Sequence, residues 1–145
     1  MIMNREIKFR GFCEHKNKWL FGCAITNEKN VVVGIKDKGE IGIFNVIPKS
    51  VGQFTGLRDK NGNEIYEGDV VNMPSMVEGE DGMLCIVEWY EGGYCFAIFD
   101  MYDEEGAPFS WLKDANKKCN SEVVGNIFDD AEEIKNMRLN KPQQL

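Results

Sequence analysis

The chain has 145 residues, 43% of them apolar and 28% charged, which suits one domain or two small ones built on a real core and excludes a disordered polar chain. No apolar run approaches the roughly 20 residues that a membrane-crossing helix needs. Arg5, Glu6 and Lys8 interrupt the start before the apolar segment of a leader could form, so the cytoplasm is the expected compartment.

Ile7-Lys8-Phe9-Arg10 alternates apolar and basic residues, the period-2 signal of a half-buried strand. That alternation places Ile7 and Phe9 inward, with Glu6, Lys8 and Arg10 in water. The polar run 14–18 is a connection, and Trp19-Leu20-Phe21 opens a return strand, completing a first hairpin. Val31-Val32-Val33 and Ile41-Gly42-Ile43-Phe44 form a second pair across Lys36-Asp37-Lys38-Gly39. Pro48, which cannot donate to a central ladder, ends this N-terminal β segment near residue 50.

Residues 52–71 are the most informative stretch. Asp59-Lys60-Asn61-Gly62 lies between two short apolar runs, and Asn61-Gly62 is a strong hairpin turn because both residues tolerate positive φ. Ile65-Tyr66 makes a short strand, Glu67-Gly68-Asp69 breaks it, and Val70-Val71 opens the next. Met73-Pro74 interrupts that strand, and Glu78-Gly79-Glu80-Asp81-Gly82 is an exposed acidic loop. Residues 83–90 and 94–99 are two further strands across Glu91-Gly92-Gly93, with Cys85, Val87 and Trp89 on one face and Ile86, Glu88 and Tyr90 on the other. Asp103-Glu104-Glu105-Gly106 is an acidic turn, 108–112 an apolar patch, 116–120 a polar loop and 122–128 a closing strand. Asp129 to Glu133 begins a helix, with acids in the first turn where the helix dipole favours them.

Three parts of this pattern resemble one family. Thr55-Gly56-Leu57-Arg58-Asp59-Lys60-Asn61-Gly62 and Glu64-Ile65-Tyr66-Glu67-Gly68-Asp69-Val70-Val71 resemble the signature of the YopX family of phage and prophage proteins. The opening 5–10 and the closing Val124-Gly125-Asn126-Ile127-Phe128 resemble its two ends. The resemblance implies a small, mainly β protein whose C-terminal part is an SH3-like barrel. It implies no activity and supplies no catalytic residues. The expected organisation is an N-terminal β segment over 1–50, the barrel over 51–130, and a short helix and tail over 131–145.

Each constellation of reactive residues has a plain structural reading. Asp59, Asn61, Asn63 and Glu64 fail the calcium-loop pattern, since the sixth position is Glu64 and the twelfth is Val70. Glu64, Glu67 and Asp69 are better read as turn residues than as converging carboxylates. Cys13, His15 and Cys23 lack the close ligand pairs of structural zinc, and five cysteines without a C-x-x-C pair read as small apolar residues. Lys8, Arg10, Lys16 and Lys18, interleaved with Phe9, Phe12 and Trp19, could grip phosphates and stack bases, though alternation alone predicts the same hairpin. Tyr90 and Tyr94, with Trp89, could line a peptide groove, although core packing is the expected role of Trp89.

The sequence carries a charge split as well. Residues 1–50 hold 9 Lys/Arg against 5 Asp/Glu, for +4, and residues 51–145 hold 8 against 19, for −11, within a total of −7. Such asymmetry often marks a partner surface. It equally fits two parts of one fold attracting each other, or one subunit's basic part meeting another's acidic part. The acidic total argues against loose binding along a nucleic-acid backbone. The expectation is a non-enzymatic binding or oligomerising module that uses no cofactor and no membrane. Its partner is a second copy of itself, or else a host or phage protein. The candidate partner surface is Lys8, Arg10, Lys16, Lys18, Tyr90 and Tyr94. The alternative is a nucleic-acid accessory protein using the basic hairpin.

Overall fold

The computed structural model describes residues 6–90, 95–100, 110–114 and 120–139. The protein is mainly β, with two antiparallel sheets and a short C-terminal helix. It divides into two compact units, residues 1–56 and 57–145.

The first unit is built on β1 (Phe9–Cys13), β2 (Lys18–Thr26), β3 (Val32–Asp37), β4 (Phe44–Asn45) and β5 (Gly52–Arg58). The hairpin pairs Arg10 with Phe21 and Phe12 with Trp19, and β2 pairs Cys23 with Lys36 and Ile25 with Gly34. Alternation along β2 turns Leu20 and Gly22 inward and leaves Phe21, Cys23 and Ile25 exposed. The inner face gathers Cys13, Leu20, Ile35 and Val46 into one core, with Phe9, Val32, Phe44 and Val51 packed against it. Leu20 and Ile35 are fully buried, each contributing roughly 1.5–3 kcal/mol by leaving water.

A crossing segment is tied to β1 over this core. Ile47 N–H donates to the Phe12 carbonyl at 2.9 Å, and Phe12 N–H donates to Ser50 Oγ at 2.8 Å. Pro48–Ser50 forms a 3-10 turn between these bonds. Gly11 lies beneath Val46, where an added Cβ would stand 2.9 Å from the Val46 Cβ, so only glycine fits that approach.

Within the first unit the strand order is β4-β3-β2-β1-β5, and the division between units falls inside β5 after Gly56. The second unit holds β6 (Glu64–Tyr66), β7 (Asp69–Met73), β8 (Met83–Tyr90), β9 (Cys95–Asp100), β10 (Ser110–Trp111), β11 (Glu122–Asn126) and α1 (Ala131–Leu139). Its five-stranded sheet runs β10-β9-β8-β7-β11. One face packs Val71, Met73, Cys85, Val87 and Ile98 with Ile65 and Leu112. On the other face Val70 and Ile86 meet Ile134 of α1.

The helix is anchored by its first turn. Asp130 reaches back so that Asn126 N–H donates to its carboxylate at 2.9 Å, while Asn126 Oδ1 accepts from Phe128 and Asp129 N–H. Gly125 leaves room for that carboxylate, which a Cβ there would strike. A bulge beside it makes Val124 the extra residue of β11, exposed and outside the Val123–Val71 and Gly125–Val70 pairs.

Candidate interaction surfaces

The basic hairpin is charge-compensated within its own unit. Lys16 and Lys18 both reach the Glu40 carboxylate, at 2.8 and 2.9 Å, and the Lys16 ammonium sits 3.9 Å from the centre of the Phe44 ring. Hydrogen bonds from Lys16 and then Lys18 hold the Glu40 carboxyl down at about 2, and the bond to Glu40 raises Lys18. Glu40 follows the β3–β4 turn, whose Asp37 carboxylate accepts from Gly39 and Phe21 N–H. Those two backbone donors lower the Asp37 pKa.

Lys8 departs from the alternation. It is buried, and Ile7 is exposed. The strand begins only at Phe9, so residues 7 and 8 do not follow its pleat. The Lys8 ammonium lies 3.3 Å from Glu6 and 4.9 Å from the centre of the Phe54 ring, while its backbone carbonyl accepts from Phe54 N–H. A long stem laid along an aromatic ring with a carboxylate at the tip is how lysine leaves water at tolerable cost.

Arg10 keeps its place on the outer face, 5.0 Å over the Trp19 ring, with Phe12 edge-on to Trp19 at 5.7 Å. Of the rings that could stack bases, Trp19 thus carries Arg10 over it and Phe12 at its edge, and Phe9 packs against the core. Beyond Trp19 the same face of β2 continues as Phe21, 41% exposed, and Ile25, 38% exposed. Ile43 is exposed as well and lies against Gly34, the partner of Ile25. This apolar stripe follows from plain alternation in residues 19–25, but the hairpin pattern of basic residues with Phe9, Phe12 and Trp19 does not by itself point to Phe21 and Ile25.

In the second unit, Tyr90 is the centre of an aromatic cluster. Its ring stands 6.0 Å from Phe99 and 5.8 Å from Trp111, both tilted. The register places Trp111 opposite Ala97, so all three share one face of the sheet with Glu88. Tyr94 lies outside the described residues. Trp89 does not pack into the core as expected. It follows Cys85 and Val87 on their face but sits one residue from the end of β8, where it is exposed.

The central turn is a structural knot. Asp59 is buried, and its carboxylate accepts from Asn61 and Asn63 N–H at 2.9 Å each, from the Asn63 amide at 3.2 Å and from Val123 N–H at 3.0 Å. Burial pushes its pKa up, but the donors from Val123, Asn63 and Asn61 outweigh that and leave it lowered. Gly62 takes φ +82° and Gly68 φ +88°, whereas Asn61 does not take positive φ. Gly62 N–H donates to the Asp59 carbonyl at 3.0 Å and Asp59 N–H to the Asn63 carbonyl at 2.8 Å, a turn that needs positive φ only at its glycine.

The other carboxylates of this stretch have separate partners. Asp69 accepts from Tyr66 N–H at 2.7 Å, and Glu64 accepts from the Tyr66 hydroxyl at 3.0 Å. Glu67 is raised, first by burial and then by the Glu88 charge, against a hydrogen bond from Trp89 N–H. Cys13 is buried on the inner face and Cys23 exposed on the outer face, so the two cannot share a metal. Among the described residues, no group of three or more His, Cys, Asp or Glu is placed to hold one.

Residues 8–135 match the family model described as YopX protein. The chain belongs to the YopX family. Its structure is similar to the crystal structure of protein EF1440 from Enterococcus faecalis, with a TM-score of 0.57 and 19% identity over 90% of this chain and 99% of that one. At that identity the likeness is one of fold. No curated protein matches the chain. Within this YopX-family chain, the signature stretch is occupied by Asp59, Asp69, Gly62 and Gly68, which shape the turns and bind the chain to itself. Among the described residues, no helix is long and apolar enough to cross a membrane.

Proposed function

We propose that this YopX-family chain is a phage- or prophage-encoded cytoplasmic module without catalytic activity that works by binding, first of all to a second copy of itself. The observation that carries this reading is the outer face of β2, where Phe21 and Ile25 are exposed beside Ile43. Exposed apolar side chains grouped on one sheet face and rimmed by charged residues are the kind of patch that marks an interaction site. The +4 and −11 halves add an electrostatic reason for two copies to meet.

Light scattering on the full chain over a rising concentration series tests it. A dimer or larger species is expected, with Phe21→Asp returning the chain to a monomer. A wild-type chain that stays monomeric at the highest concentration overturns the reading. The nucleic-acid alternative draws less support, because Lys16 and Lys18 are engaged by Glu40 and Lys8 is buried beside Glu6.

A further inference from the structure

Two exposed apolar features of this chain have opposite electrostatic surroundings. One is the outer face of β2, where Arg10 stands directly opposite Phe21 and Lys36 directly opposite Cys23. Cations therefore flank the apolar stripe on both neighbouring strands. The other is the β7–β8 connection, residues 74–82. Met76 at its tip is 81% exposed, Val77 beside it is exposed, and Glu78, Glu80 and Asp81 give the loop −3 with no Lys or Arg.

The loop is folded rather than slack. Val77 N–H donates to Ser75 Oγ at 3.1 Å, Glu80 N–H donates to the Val77 carbonyl at 3.2 Å, and Ser75 Oγ donates to the Glu80 carboxylate at 3.4 Å. Gly79 takes φ +86° within it. At its far end a Cβ on Gly82 would come within 2.7 Å of the Met73 carbonyl oxygen, so the return into β8 is tight. A loop already held in one shape loses little freedom on docking, and methionine adapts to an uneven apolar surface.

We propose that the 74–82 loop of one copy seats Met76 and Val77 on the outer β2 face of a second copy, against Phe21 and Ile25, with Glu78 facing Lys36 and Asp81 on the side of Arg10. The contact deepens the self-association reading and rests on it.

A charge-swap cycle tests the contact. The association constant of the full chain is measured by sedimentation for wild type, Lys36→Glu, Glu78→Lys, the double variant and Met76→Asp, each with a thermal melt. All three side chains are exposed, so unchanged melting separates binding from folding. Each single charge reversal is expected to weaken association by about tenfold, and the double variant to return to within about threefold of wild type. Met76→Asp should weaken it at least as much as a charge reversal. If wild type associates while the variants bind equally well, or the double variant is weaker than either single, the loop-to-face contact is wrong and self-association stands. A monomeric wild type removes both.

Discussion

Asp59 and Glu67, eight residues apart, show how placement decides what a carboxylate does. Asp59 is buried among four donors and prefers its charge, while Glu67 is partly buried with one backbone donor and the Glu88 charge nearby. Glu67 therefore binds its proton more tightly in the folded chain than in the unfolded one. Its contribution to stability is fully present below the ordinary glutamate value of 4.5 and is lost as pH rises through the raised folded value. Glu67→Gln, which keeps the shape and an oxygen for Trp89 N–H, should raise the urea midpoint at pH 7 and leave it nearly unchanged at pH 4. An equal shift at both values would mean that the charge is not the cause. The turn at Asn61-Gly62 was readable because its residue types act locally. The role of Asp59 was not, since Val123 lies 64 residues further on and only the folded chain brings its N–H within reach.

At the scale of elements, the period-2 pattern was informative wherever one face is dry. That period placed β8, apolar runs placed β2, and acids in the first turn placed α1. The second pair was offset, its strands being Val32–Asp37 and Phe44–Asn45 rather than 31–33 and 41–44. The alternation misled at strand ends, where Lys8 precedes the ladder and Trp89 follows the buried part of β8. Close backbone approaches were also invisible in the sequence. Gly22 faces the Lys36 carbonyl across the β2–β3 ladder, and an added Cβ would fall on that oxygen. Gly22→Ala must push the two strands apart, and it should cost about 1–3 kcal/mol or more in chemical denaturation. A neutral result would show that the ladder yields at this point without loss.

For the whole molecule, the mainly β class, the C-terminal helix and the family were readable because they rest on turn chemistry, alternation and one long signature. The surfaces were harder, because a charged residue in a sequence carries no record of its partner. Lys16 and Lys18 look like an open basic patch until Glu40, more than twenty residues later, folds back between them. The charge split survives this correction as a property of the halves rather than of the hairpin. It acts through the summed field, which salt screens over about 10 Å at 0.1 M.

The inner and outer faces of the first sheet also divide its thiols. Cys13 is enclosed, Cys23 lies in the open between Phe21 and Ile25, and burial pushes the Cys85 thiol in the other unit up to about 12. With Cys95 and Cys119 replaced by serine, a maleimide dye should attach to the native chain at position 23 alone. Its rate of attachment should slow as protein concentration rises, and a rate that ignores concentration would mean the stripe stays wet. The molecule thus carries its own optical gauge of whether that patch is covered.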